Sequence, residues 1–366
     1  MIYNWQQKDW PDFTYQTNGV EEVILSIAEE IGHVGGVVAA LPDAFQTETR
    51  ISIMVSEAIK TSAIEGEFLS RPDVMSSIKN KMELTENKIA VHDKKAQGAG
   101  EFMVAVRDSY AEPLTEQMLF AWHKMLLPES ARITVGAWRS HTEPMQVVSG
   151  AIGKEKVHFE APPSANVPAE MKQFITWFND TAPGGKNEIK KAPIRSAIAH
   201  LYFETIHPFE DGNGRIGRAI AEKALSQTIG RPAMLSLSQA IEADKNAYYD
   251  ALKAAQRTND ITVWLGYFVQ VIYHAQLSAK DLVTFSLKKV KLLDRCQDKL
   301  NDRQLKVLLR MLESPDGFEG GMTAKKYVSL TKTSKATATR DLQELVDLRV
   351  LIPEGGGRSV HYRVDI

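Results

Sequence analysis

The fold is decided by the stretch PIRSAIAHLYFETIHPFEDGNGRIGR, which runs from Pro193 to Arg218. Proline is accepted in the first turn of a helix because the amide hydrogen that it lacks would have no partner there. After Pro193, apolar residues return every three or four positions, which predicts a helix with one buried stripe. The stripe consists of Ile194, Ala197, Ile198 and Leu201. This predicted helix leads directly into His207 and a glycine-rich loop.

The second half of the stretch, HPFEDGNGRIGR, combines residue types that suit a polyphosphate. Gly212 and Gly214 allow unusual dihedral angles and close backbone approach, so successive N–H groups at the next helix start can point at one anion. Arg215 and Arg218 are three residues apart and therefore lie on one face of that helix, near its positive end. The pattern predicts a phosphate cradle.

Two further side chains in this loop indicate chemistry at the phosphate. Asp211 offers a hard oxygen ligand for Mg²⁺, an ion that keeps several waters and bridges phosphate oxygens. His207 titrates near neutrality and could take a proton from a hydroxyl that attacks phosphorus. Each fragment alone is commonly a cap or a turn, and the combination favours function. We interpret Phe209 as a packing residue and His200 as a core histidine.

A β-hairpin is predicted within residues 136–163, although most of the chain has helical periodicity. Strand-favouring residues flank a turn region at Gly150–Gly153, which is typical of an antiparallel pair. These residues are Val147, Val148, Val157 and Phe159. Breaks near Arg139 and Pro162 mark the points where the hairpin leaves the helical body.

The C-terminal residues predict a small separate domain. Its helical segments cover residues 304–312, 323–330 and 334–348, and two short strands follow around Gly355–Gly357. Three helices and a terminal hairpin are typical of a winged helix-turn-helix. The predicted fold class is therefore mainly α, with a hairpin in the body and this domain at the end.

Composition limits the classes of protein to which the chain can belong. Its 366 residues, 43% hydrophobic and 25% charged, suit two or three globular domains, and the net charge of −2 gives no whole-chain attraction to nucleic acid. The single Cys296 cannot form an internal disulfide. No signal-peptide pattern is visible, and the longest apolar stretch, Val37–Leu41, is far below the ~20 residues that span a bilayer. We expect a cytoplasmic protein without a membrane partner.

The loop matches the pattern HPFx[DE]GNGRxxR position for position, and the chain thereby resembles the Fic family of protein AMP-transferases. The resemblance implies a helical core that transfers AMP from ATP to a Tyr, Thr or Ser hydroxyl of a target protein, with His207 as general base and Mg²⁺ on Asp211. The residues implied around the ATP phosphates are Gly212, Asn213, Gly214, Arg215 and Arg218. The implied organisation is an N-terminal helical region over 1–95, a Fic core over 96–280, a helical connector over 281–302 and a winged helix-turn-helix over 303–366.

Other parts of the chain also resemble Fic proteins. The hairpin over residues 145–159 is similar to the family's flap, which docks the target protein by strand addition. Tyr248, Tyr249 and Gln256 resemble a segment that lines the adenine pocket, and Gln256 stands where some relatives have Asn. The alternative is that the two tyrosines are core residues. Family precedent further implies a homo-oligomer.

An inhibitory motif of the family, [ST]xxxE[GN], is matched by Thr61, Glu65 and Gly66. These residues end an amphipathic helix predicted over 48–65. The resemblance implies that Glu65 pairs with Arg218 and keeps ATP from binding productively. The alternative is an ordinary surface glutamate. Inhibition predicts that removal of the carboxylate raises activity, whereas a surface glutamate predicts no change.

Two competing functions stay open from the sequence. In the first, Glu65 activates water and the same site removes AMP from a modified protein. In the second, the C-terminal domain binds DNA or another protein through basic residues near its third helix and wing. Those residues are Lys332, Lys335, Arg340 and Arg358. Residues 303–366 hold 11 Lys or Arg against 8 Asp or Glu, a net charge of +3, which predicts weak nonspecific DNA affinity.

Overall fold

The computed structural model describes residues 2–128, 133–149, 156–313 and 317–366, without the side chains of Ser149 and Arg358. The predicted turn at Gly150–Gly153 and the predicted wing side chain of Arg358 lie outside this description.

Helices dominate the described residues, which confirms the predicted fold class. The helices are α1 (Glu21–Ala40), α2 (Asp43–Ile64), α3 (Arg71–Lys81), α4 (Lys94–Asp108), α5 (Glu116–Leu126), α6 (Val167–Asp180), α7 (Ala192–Ile206), α8 (Asn213–Ile229), α9 (Leu237–Ala243), α10 (Lys245–Ala255), α11 (Thr262–Cys296), α12 (Asp302–Met311), α13 (Ala324–Thr331) and α14 (Lys335–Asp347). The strands are β1 (Gln146–Ser149), β2 (Lys156–Glu160), β3 (Leu351–Glu354) and β4 (His361–Val364).

The chain forms two compact units. The first comprises residues 1–33 and 50–279, and the second comprises residues 34–49 and 280–366. Helices α1, α2 and α11 have residues in both units. The four-part division expected from the sequence stays a prediction.

The first unit is built around α7, whose every residue is buried. A single apolar stripe was therefore too narrow an expectation, because α7 lies between two hydrophobic clusters and is covered on all sides. Pro193 occupies the first turn as predicted. The buried Arg195 donates hydrogen bonds to the carbonyls of Phe178 and Ala224, at 2.7 and 3.0 Å. Carbonyl oxygens thus allow a cation inside this core.

The predicted hairpin is present as the antiparallel pair β1 and β2. Val147 faces Phe159 and Val148 faces Val157, with an irregularity in β1 between the two valines. Phe159 is buried and packs edge-on against Tyr3, with the ring centroids 5.0 Å apart. Val148 and Val157 are exposed. The hairpin is therefore fixed to the N-terminal segment by one face, and its outer face is open.

The second unit contains the three helices and the terminal hairpin that the sequence predicts. Asn301, Thr323 and Ser334 cap the starts of α12, α13 and α14 through their side chains, because such oxygens accept bonds from free amides in the first turn. Strands β3 and β4 pair antiparallel. The helix-turn-helix function of this unit stays a prediction.

Helix α1 differs from the expectation that no long apolar segment occurs. It has 20 residues, and its most apolar window has a mean hydropathy of 1.5, although Glu29 and Glu30 interrupt the run. By length and composition alone, α1 is long and apolar enough to cross a membrane. The expectation counted only uninterrupted apolar residues, at Val37–Leu41, and therefore underestimated the length of the apolar segment in α1.

Candidate active site

His207 lies at the junction between α7 and the glycine-rich loop. Its backbone is left-handed, with φ 50° and ψ 59°, and its amide donates to the Phe203 carbonyl at 3.0 Å. A non-glycine residue in this region costs about 1–3 kcal/mol and needs support from its surroundings. Arg139 Nε supplies part of that support through a 2.8 Å hydrogen bond to the His207 carbonyl. The imidazole is thus presented by a bend that the rest of the fold maintains.

The loop after His207 is fastened by Asn213 and His123. The Asn213 side chain accepts from the Phe209 amide at 2.9 Å and donates to the Phe209 carbonyl at 2.8 Å. The ring of Phe209 is buried and stacks on His123, with the centroids 4.2 Å apart. His123 accepts from the Gly136 amide through Nδ1, at 2.8 Å, and its Nε2 lies 3.1 Å from the Asp211 carbonyl. Phe209 is a packing residue as predicted, whereas Asn213 holds the loop through its side chain.

The start of α8 has the geometry of an anion site. Gly212 has φ 81° and precedes the helix without a side-chain cap, so the first amides of α8 need another acceptor. A Cβ atom on Gly214 would lie 2.4 Å from Glu65 Oε1. Glycine at this position therefore permits close approach of a carboxylate to the positive end of the helix.

Thr61, Glu65 and Arg218 meet at this helix end, as the sequence pattern implied. Arg218 Nη2 donates to Glu65 Oε1 at 2.8 Å, and Nε donates to Thr61 Oγ1 at 2.8 Å. Burial alone would raise the pKa of Glu65, but the charge and hydrogen bond of Arg218 outweigh it and hold that pKa below its ordinary value. Gly66, with φ 81°, turns the chain away after α2. Glu65 is therefore an anion seated on a buried cation.

A second carboxylate, Glu67, occupies the other arginine of the loop. Arg215 Nη1 donates to Glu67 Oε2 at 2.7 Å, and Lys95 Nζ lies 2.7 Å from Glu67 Oε1. Sequence reasoning missed Glu67, although its place two residues after Glu65 was an available signal. Both arginines of the predicted phosphate cradle are thus paired with acidic residues of one segment.

The His207 imidazole is neutral at physiological pH. Burial lowers the pKa of His207, and the charge of Arg139 lowers it further. A contact with the Glu204 backbone and the charges of Glu65 and Asp211 raise it, and the resulting pKa is about 4. Burial also raises the pKa of Glu204 to about 8, and its Oε2 lies 3.7 Å from His207 Nδ1. The sequence signal for Glu204 was an acidic residue one turn before His207 on an otherwise apolar helix.

Asp211 is the exposed member of the loop, with 59% of its side chain accessible. Its Oδ1 accepts from the Gly212 amide at 2.6 Å. No group of three metal-ligating side chains occurs in the part of the chain that the structure describes. A single exposed carboxylate beside a phosphate cradle nevertheless fits Mg²⁺, which commonly takes one or two protein carboxylates, waters and substrate phosphates.

The three residues expected near adenine have different environments. Tyr248 is buried, and its hydroxyl lies 2.9 Å from Nε2 of His200, which is itself a core histidine as expected. Gln256 is also buried and donates to the Glu204 carbonyl at 3.3 Å. Tyr249 is exposed. The polar atoms of Tyr248 and Gln256 therefore already have partners within the core, and Tyr249 is the member that solvent reaches.

Two family models match parts of the chain. Residues 113–225 match the Fic/DOC family, and residues 3–84 match a domain of unknown function, DUF4172. The protein adenylyltransferase Fic of Nematostella vectensis is 25% identical over 198 residues, which are 53% of this chain and 42% of that protein. A probable protein adenylyltransferase of Aquifex aeolicus is 31% identical over 98 residues, 27% of each chain. The chain spans less than half the length of these curated relatives.

Solved structures of Fic proteins share the fold. A Fic family protein from Desulfovibrio desulfuricans G20 aligns over 93% of this chain and 95% of its own, with a TM-score of 0.53 and 21% identity. A Fic domain containing signaling protein from Bacteroides thetaiotaomicron aligns over 72% of this chain and 97% of its own, with a TM-score of 0.52 and 18% identity. The chain therefore contains a region that matches the Fic/DOC family, over residues 113–225, after a region that matches DUF4172.

Proposed function

We propose that this protein transfers AMP from ATP to a Tyr, Thr or Ser hydroxyl of a target protein. The observation that carries the proposal is the placement of Arg215 and Arg218 at the uncapped start of α8, after the loop that begins at His207, where carboxylates already occupy both arginines. A site that holds two carboxylates at a helix N-terminus is suited to the oxygens of a polyphosphate. The names of the curated relatives agree with this chemistry.

In the proposed reaction, the phosphates of ATP replace the carboxylates on Arg215 and Arg218, and Asp211 would hold Mg²⁺. The metal ion would neutralise charge on the phosphate oxygens. Neutral His207 accepts the proton of the target hydroxyl as its oxygen bonds to the α-phosphorus. The bond between the α-phosphorus and its bridging oxygen breaks, and pyrophosphate leaves. Gly212 and Gly214 keep the backbone close enough for the first amides of α8 to contact phosphate oxygens.

Target and nucleotide would be held by elements beside this loop. The hairpin of β1 and β2 carries exposed Val148 and Val157, and its open edge suits an added strand from the target protein. Exposed Tyr249 is suited to stack on the adenine ring. We further propose that Glu65 and Glu67 inhibit the enzyme, because they occupy the cations that ATP requires.

The Glu67 contact leads to a specific expectation. The Glu67→Gln variant should bind ATP roughly three- to tenfold more tightly, since about 1 kcal/mol of competing charge interaction with Arg215 is lost. Isothermal titration of the purified variant with ATP and Mg²⁺ measures this change. The matched control is Glu86→Gln, which removes an exposed carboxylate elsewhere. Equal ATP affinity in both variants would show that Glu67 does not compete with nucleotide.

The reaction itself is tested with ATP labelled at either the α- or the γ-phosphate. The Glu65→Gly variant, freed from the inhibitory carboxylate, is incubated with Mg²⁺ and cell lysate. AMP transfer predicts that α-label, and no γ-label, becomes attached to protein. Attachment of γ-label would indicate a kinase instead. The absence of both labels, together with release of AMP from a previously modified protein, would support AMP removal.

A further inference from the structure

Arg139 is a buried cation, and its hydrogen bonds to the described residues all go to uncharged oxygens. Besides the 2.8 Å bond from Nε to the His207 carbonyl, Nη2 donates to the carbonyls of Ile206 and Pro162 at 3.2 and 2.5 Å. Nη1 donates to Ser164 Oγ at 2.8 Å. The partners therefore come from two places, the C-terminal end of α7 and the segment that follows β2.

These contacts satisfy groups that the fold otherwise leaves open. The last carbonyls of a helix have no partner within it, and Arg139 takes two of them, at Ile206 and His207. Its own amide donates to the Pro208 carbonyl at 2.9 Å, directly after the left-handed bend. Arg139 is thus bound to three successive carbonyls, over residues 206–208.

We propose that Arg139 is a positioning residue for His207, which it holds in the left-handed bend and fastens to the exit of the β1–β2 hairpin. This inference rests on the proposed role of His207 as the base. In that role the imidazole must meet a hydroxyl presented beside the hairpin, so the two elements need a fixed separation. Misplacement of a reacting group by about 1 Å can cost roughly a hundredfold in rate. One planar guanidinium with several fixed donors can connect both elements, whereas an ammonium group cannot reproduce that geometry.

The charge of Arg139 also acts on the imidazole. No carboxylate among the described residues pairs with this guanidinium, and its charge acts on His207. Of the groups around His207, Arg139 lowers the pKa of the imidazole. The contact with the Glu204 backbone and the charges of Glu65 and Asp211 raise it. Loss of the Arg139 charge should therefore move the pKa of His207 upward from about 4. The neutral base is present above its pKa and is lost as the pH falls through it, so the acid limb of the rate profile should move to higher pH.

The experiment compares Arg139→Lys and Arg139→Gln in the Glu65→Gly background, with Arg195→Lys as the matched control. Arg195 is likewise buried on carbonyl partners, and burial lowers its pKa to about 10 as it does for Arg139. We expect Arg139→Lys to lower kcat by roughly a hundredfold with the KM for ATP within about threefold. Arg195→Lys should lower Tm by about as much as Arg139→Lys does, and it should leave kcat nearly unchanged. Equal kcat losses in Arg139→Lys and Arg195→Lys would overturn the positioning role.

A second readout does not depend on AMP transfer. NMR titration of ¹³C-labelled histidines follows the His207 imidazole directly, with its signal identified by its absence in His207→Asn. The pKa of His207 should rise in Arg139→Gln and stay near its starting value in Arg139→Lys. An unchanged pKa in Arg139→Gln would overturn the electrostatic part of the proposal. If the Glu65→Gly background transfers no AMP while this pKa moves, the proposed function fails and the action of Arg139 on His207 stands.

Discussion

Replacement of Glu65 by glycine is expected to raise the rate of AMP transfer by roughly ten- to a hundredfold. A hydrogen bond between charged groups is worth about 1.5–3 kcal/mol, and each 1.4 kcal/mol corresponds to a factor of ten. In the proposed mechanism, ATP must displace the Glu65 carboxylate from Arg218 before its phosphates can use that cation. The variant removes this competition, and attached α-label per minute measures the gain.

Thermal unfolding provides the control for this variant. Arg218 keeps its hydrogen bonds to the Thr61 hydroxyl and carbonyl, so the variant should fold with a slightly lower Tm. Addition of ATP should then raise Tm more in the variant than in the wild type, because a ligand stabilises the folded state in proportion to its affinity. Unchanged transfer together with an unchanged Tm shift would show that Glu65 does not compete with ATP for Arg218.

Replacement of His207 is expected to abolish transfer, with a loss of roughly a thousandfold or more. General base catalysis typically contributes between about 10² and 10⁴ in rate, and no other neutral imidazole among the described residues lies in this loop. ATP binding should stay within about threefold, because the phosphate contacts come from α8. Single-turnover transfer and ATP titration separate the two quantities.

The choice of substitution at His207 follows from its backbone. Alanine is strained at a φ of 50°, whereas asparagine adopts the left-handed region more readily. His207→Asn should therefore have the wild-type Tm and no AMP transfer. His207→Ala should have a lower Tm and no AMP transfer. Activity in His207→Asn near the wild-type level would exclude His207 as the base.

The sequence was sufficient for features whose residues are close together in the chain. The glycine loop, the proline at the start of α7 and the two paired strands each have a local physical cause, and the structure has them where expected. The contact between Glu65 and Arg218 spans 153 residues and was accessible only through resemblance to a family pattern.

The remaining features depend on contacts without a local pattern. Arg139 binds carbonyl oxygens, which every residue has, so no sequence spacing indicates its partners. Glu67 reaches Arg215 because the segment after α2 folds over the start of α8. Tyr248 and Gln256 lie inside the core because α10 packs toward α7, and helical spacing alone could not distinguish that orientation from one that faces solvent.

The location of Glu65 and Arg218 in one compact unit of one chain would determine how the proposed inhibition responds to dilution. A tethered carboxylate acts at an effective concentration that the geometry of the chain sets and the amount of protein does not. Activity per molecule should therefore be constant from dilute to concentrated solution. Free ATP competes with this carboxylate for Arg218 in the proposed mechanism. The activity of the enzyme would therefore depend on the ATP concentration around it.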